Sequence, residues 1–139
     1  MISVIELFES QSLRFVVHEH LAKRAGRHFD LRFEKDNTLK SWAIRNLDQL
    51  VNQLKSKVLA VQMPDHVLSY IDFQGELKDG YGAGKVNIWD SGTYQIIEWS
   101  NDKIVVEFKG NKLNGKYALI KPQKNQKDDQ WLILKTKKQ

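Results

Sequence analysis

Cysteine is absent from all 139 residues. Disulfides and thiolate ligands are thereby excluded, and any metal must be held by His, Asp, Glu or backbone oxygen. No apolar run approaches the roughly 20 residues needed to span a bilayer, and the opening MISVIELFESQS is acidic where a secretory signal would be basic. A cytoplasmic location with no membrane partner is the expectation. No internal repeat is present, and helix signals are few: Ile2 to Phe8, a single turn over Leu21 to Ala25 closed by Gly26, and Leu47 to Lys55.

The chain is instead rich in what fills one compact core. It is 41% hydrophobic, with four Trp, four Tyr and six Phe, at the length of one ordinary domain. Twenty-two Lys and Arg against seventeen Asp and Glu leave a net charge of +5, which favours a polyanionic partner such as nucleic acid. Short β-rich runs recur: Arg14 to His20, His28 to Phe33, Leu39 to Ile44, Val58 to Met63, Lys85 to Trp89, Thr93 to Glu98, Ile104 to Phe108, Lys116 to Ile120 and Trp131 to Lys135. Lys35-Asp36-Asn37, Asp90-Ser91-Gly92, Asn101-Asp102-Lys103 and Asn114-Gly115 supply hairpin turns between them, and PQKNQKDDQ, Pro122 to Gln130, reads as a surface loop. The pattern predicts a mainly β, single-domain small antiparallel β-barrel with a few short helices.

Successive strand side chains point to opposite faces, so residues two apart share one. Phe29, Leu31 and Phe33 form a core face, and His28, Asp30 and Arg32 align on the other. His18 and His20 share a face of the preceding strand, so one more imidazole can join the row. Two neutral imidazoles and a carboxylate suit a divalent transition metal with open positions, and a neighbouring guanidinium matches phosphate oxygens. Spacing leaves His18 and His20 equally open as the second imidazole.

Three blocks carry a resemblance. FVVHEHLAKRAGRHFDLRFEKDNTLKSWAI (Phe15 to Ile44), LAVQMPDHVLSYIDFQG (Leu59 to Gly75) and DGYGAGKVNIWDSGTY (Asp79 to Tyr94) resemble, in order, the 3′-phosphoesterase family found as a domain of bacterial DNA ligase D and as free-standing proteins. The extra residues around Ala25-Gly26 are similar to the free-standing, archaeal-type branch. The resemblance implies one 3′-phosphoesterase domain over residues 1–139, with a manganese-type site for which Zn²⁺ or Co²⁺ are alternatives. It implies removal of 3′-phosphates and 3′-terminal ribonucleotides from DNA ends before sealing, with an end-joining ligase and polymerase as partners in trans. His20, His28 and Asp30 fall on the family's metal ligands, Arg32 and His66 on its phosphate-contacting positions, and Tyr70 on the tyrosine that completes the site. Lys40 matches a lysine that assists some of its reactions.

For a nucleic-acid strand, Arg14, Lys23, Arg24, Arg27, Lys40 and Arg45 surround this centre in sequence and can follow a phosphate backbone. The glycines of GYGAG, Gly80, Gly82 and Gly84, lack the strand-to-helix context of a phosphate cradle and read as a tight loop. Two other classes remain: a non-catalytic nucleic-acid-binding barrel with the same basic surface, and a cupin-like small-molecule enzyme.

Overall fold

A computed structural model describes residues 12–80, 82–122 and 127–136. The helix expected over Ile2 to Phe8 lies outside these residues, as does the middle of the Pro122 to Gln130 loop. Nine strands follow in chain order: β1 (Leu13–Ala22), β2 (Gly26–Lys35), β3 (Thr38–Ile44), β4 (Lys57–His66), β5 (Gly75–Leu77), β6 (Gly84–Trp99), β7 (Lys103–Gly110), β8 (Asn114–Ile120) and β9 (Gln130–Lys135). A helix α1 (Leu47–Val51) precedes β4, and a 3₁₀ helix (Leu68–Asp72) follows it.

Every pairing is antiparallel, in the order β1-β2-β3-β4-β9-β8-β7-β6, and β6 returns to pair with β1. Eight strands thus close into a barrel, with β5 added beside the first half of β6. Closure removes the exposed edges that an open sheet would carry. The expected barrel is the one observed. No described helix is long and apolar enough to cross a membrane.

The alternation of side chains explains the interior. Phe29, Leu31 and Phe33 of β2 are fully buried, and Phe33 packs edge-on against Trp42, Tyr94 and Trp99 at ring separations of 5.0–5.7 Å. Aromatic pairs in this geometry gain on top of the area they bury. A second, smaller cluster of Val16, Leu39 and Ile71 lies on the outer face, where the 3₁₀ helix packs against the wall formed by β1 and β3. That outer cover buries the polar face of β2 as well.

Three expected turns are not turns. Asp90-Ser91-Gly92 stays inside β6, because that strand is long enough to leave β1 and continue onto β7. The buried Asp90 carboxylate instead accepts the backbone N–H groups of Asn111, Lys112 and Leu113 at 2.9, 3.0 and 2.7 Å. It thereby closes the β7–β8 hairpin. A side chain at Gly92 would collide with the Lys109 carbonyl of the crossing strand. Asn114-Gly115 belongs to β8, displaced from the turn by this Asp90 cap. The segment Leu21 to Ala25 is the end of β1 and a hairpin turn, not helix, with Gly26 at φ 78° opening β2. Asp36-Asn37 does form its tight turn, both residues at positive φ (54° and 64°), as a two-residue hairpin requires.

Candidate metal and phosphate site

The register of the first hairpin sets His18 opposite Asp30 and His20 opposite His28. That of the second sets Arg32 opposite Ser41, and β4 brings His66 opposite Leu39. All of these lie on the outer wall of the barrel, around a cleft of about 670 Å³ that is also lined by Tyr70 and Gly82.

His20, His28 and Asp30 converge there. His20 Nδ1 is 3.6 Å from Asp30 Oδ2, and His28 Nε2 is 3.3 Å from Asp30 Oδ1. One ligand atom from each of the three lies within 4.8 Å of the others. The remaining ring nitrogens are spoken for by carbonyls, which can only accept: His20 Nε2–H donates to Gly82 O (2.7 Å) and His28 Nδ1–H to Gly26 O (3.3 Å). Such outer hydrogen bonds fix the ring orientation and aim the other nitrogen inward. Burial would raise the Asp30 carboxyl, but hydrogen bonds to His20 and His28 and the Arg32 charge outweigh it and hold it well below the usual carboxylate range. The hydrogen bond to Asp30 raises His20 above an ordinary histidine. A two-nitrogen, one-carboxylate donor set of this kind fits a borderline divalent cation.

His18 sits one pair along and is fully buried. Its Nε2–H donates to the Phe73 carbonyl at 3.0 Å, and its Nδ1 accepts from Arg32 Nε at 3.2 Å. Both nitrogens are therefore occupied by protein. Burial, reinforced by the Arg32 charge, pushes its pKa down to about 4, so it is neutral. The choice that spacing left open between His18 and His20 falls, in this geometry, to His20.

Arg32 also donates from Nη1 to Ser41 Oγ (2.9 Å), while Nη2 lies 3.5 Å from Asp30 Oδ2. Of its five N–H groups, these three contacts leave two at the cleft. Its guanidinium lies 5.2 Å from the Tyr70 ring centre. Tyr70 stacks on His66 (3.9 Å, 27°) and on Phe73 (4.8 Å, 12°), so the 3₁₀ helix holds these rings over Arg32. Burial, then the Arg32 charge, lowers His66 below an ordinary histidine. Burial raises the Tyr70 hydroxyl.

Lys40 is beside the cleft and not on its lining: its ammonium bonds Asp65 Oδ2 at 2.7 Å. Arg14 pairs with Glu34 (3.2 Å), and Arg27 pairs with Glu19 (2.8 Å) and Asp48 (3.4 Å), which offsets much of their charge toward a polyanion. Lys23 and Arg24 are exposed in the β1–β2 turn, and Arg45 lines the cleft. Among the residues not singled out from sequence, Ser41 holds Arg32, and the Gly26, Phe73 and Gly82 carbonyls orient the three imidazoles. A signal for Ser41 was present, since the Asp36-Asn37 turn pairs Lys35 with Thr38 and hence Arg32 with Ser41. Backbone carbonyls carry no such signal.

A family model described as the DNA Ligase D 3′-phosphoesterase domain matches residues 18–121. Among curated relatives, the Multifunctional non-homologous end joining DNA repair protein LigD of Mycobacterium tuberculosis is 39% identical over 130 residues, covering 90% of this chain and 16% of the relative. The Multifunctional non-homologous end joining protein LigD of Pseudomonas aeruginosa is 39% identical over 134 residues, covering 90% and 15%. The chain spans about one-sixth of the length of the relatives it matches.

Proposed function

Because the chain belongs to the DNA ligase D 3′-phosphoesterase domain family, we propose that it is a divalent-metal-dependent, manganese-type hydrolase that removes 3′-phosphates, and 3′-terminal ribonucleotides, from DNA ends. The observation that carries the reading is the convergence of His20, His28 and Asp30 beside the Arg32 guanidinium on one cleft. In this reading the three side chains hold the metal, which when bound neutralises phosphate charge and lowers the pKa of a coordinated water.

The chain's own residues do the rest. Arg32 directs its two remaining N–H groups to the phosphate oxygens, held rigid by His18 and Ser41, so little reorganisation accompanies the build-up of charge. His66, on the strand leading into the 3₁₀ helix, contacts the phosphate and protonates the departing 3′ oxygen. Tyr70 orients His66 through their ring stack. Lys40 acts at one remove, by fixing Asp65 at the cleft margin. Lys23, Arg24 and Arg45 meet the neighbouring backbone phosphates, with Arg14 and Arg27 as weaker contributors behind their ion pairs. The ligase and polymerase of end joining would act on the product in trans.

The test is phosphate release from a 3′-phosphorylated primer–template with Mn²⁺, with Mg²⁺ and with chelator. Turnover with Mn²⁺ that chelator abolishes is expected. DNA binding with no metal-dependent turnover would favour the non-catalytic binding barrel.

A further inference from the structure

The outer wall changes character strand by strand across the cleft. On β2 it is charged, with Asp30 and Arg32; their neighbours on β3 are small, Ala43 and Ser41. The next neighbours, on β4, are Val61 and Met63. Leu59 continues that row along β4, because residues 59, 61 and 63 share a face while Val58 and Ala60 point into the core. Leu59 is 49% and Met63 43% exposed, yet both line the same cleft as the histidine cluster.

Lone exposed apolar side chains are ordinary, but a contiguous row facing a charged site is informative. With strands about 4.8 Å apart, the row lies roughly 10 Å from the β2 side chains, and from residue 59 to 63 it runs about 13 Å. Ala43, between the two, keeps the floor low. A phosphate ester of a small polar alcohol would leave this row facing water.

We propose that Leu59, Val61 and Met63 form a nucleoside subsite: the base of the 3′-terminal nucleotide lies on them, its sugar passes over Ala43, and its phosphate reaches Arg32. The inference rests on the phosphoesterase reading above for the identity of the phosphate. The row offers no hydrogen-bonding side chain, so it accepts any base while requiring that one be present. Met63 and Leu59 can adjust to purine or pyrimidine. To lie flat on the wall the terminal base must leave the duplex stack, so frayed or mismatched 3′ ends are preferred over paired ones.

The test is equilibrium binding, in chelator so that nothing turns over, of two 3′-phosphorylated single-stranded oligonucleotides that differ only in an intact or abasic 3′-terminal nucleotide. The wild-type chain should bind the intact strand about tenfold more tightly, and the L59S/M63S double variant should bind both as weakly as wild type binds the abasic one. Both side chains are exposed, so the melting temperature should be unchanged. Equal wild-type binding of the two strands would overturn the subsite, as would a double variant that weakens both equally. A retained base preference with no metal-dependent hydrolysis in Mn²⁺ would uphold the subsite and defeat the phosphoesterase reading.

Discussion

Replacing His18 and His20 by alanine, one at a time, should have opposite consequences, although the two residues are two apart on one strand face. His20→Ala removes one of three donors from a cluster whose ligand atoms lie within 4.8 Å. Losing even an outer partner of a metal site costs 10–100-fold in affinity, so loss of a ligand itself should cost at least about 100-fold. Its stability cost is small, since the bond lost is to the Gly82 carbonyl at the cleft margin. His18→Ala leaves all three donors in place but strands two partners, Arg32 Nε and the Phe73 carbonyl. At 1–3 kcal/mol for each buried group left unpaired, about 2–4 kcal/mol of stability is lost, or a melting temperature lower by roughly 10 °C. Mn²⁺ affinity should change less than about tenfold. Isothermal titration with Mn²⁺ and a thermal melt, on both variants, read the two quantities separately. If His18→Ala cost more metal affinity than His20→Ala, the assignment of the donors would be wrong.

Arg32→Lys should lower kcat for 3′-phosphate release by about 100-fold while leaving KM within a few fold, because one ammonium cannot reach His18, Ser41 and the substrate together; an activity within threefold of wild type would refute the role. Asp90→Ala should cost about 2–4 kcal/mol in urea unfolding, since three backbone N–H groups lose their acceptor and one of them, at Leu113, is buried; a loss below 0.5 kcal/mol on the order-of-magnitude scale of surface changes would show that the cap is dispensable. Tyr94 is buried and donates to the Glu34 carbonyl, and burial raises its pKa above the ordinary value near 10. The folded state thus keeps this proton where the unfolded chain releases it. The stabilisation is complete below about pH 10 and is lost as pH rises from there toward the raised folded value. Tyr94→Phe should therefore flatten the alkaline limb of a stability–pH curve, and an unchanged limb would remove Tyr94 as its source.

The strands were legible because their alternation is regular, and the hairpin at Asp36-Asn37 because only a tight turn tolerates two successive residues at positive φ. The failures have one cause. At Asp90-Ser91-Gly92 and at Asn114-Gly115, turn-forming residues serve contacts between strands: Asp90 caps a distant hairpin, and Gly92 admits a crossing backbone. Local chemistry does not reveal which use a given residue has. Arg14 and Arg27 were likewise readable as cations, but not as cations already paired with Glu34, Glu19 and Asp48 on neighbouring strands and in helix α1.

For the candidate site, period-two geometry by itself determined that His28, Asp30 and Arg32 share a face opposite Phe29, Leu31 and Phe33, since strand direction alone sets that alternation. Resemblance added His66 and Tyr70. Only the tertiary structure decided what each imidazole has left to offer. His18 and His20 are equivalent along β1, but the 3₁₀ helix after β4 carries the Phe73 carbonyl to His18, and the loop before β6 carries the Gly82 carbonyl to His20. One histidine is thereby locked between Arg32 and the cover, and the other turns a free nitrogen toward Asp30. The deciding partners lie 55 and 62 residues away in the chain and are backbone atoms, which no side-chain pattern encodes.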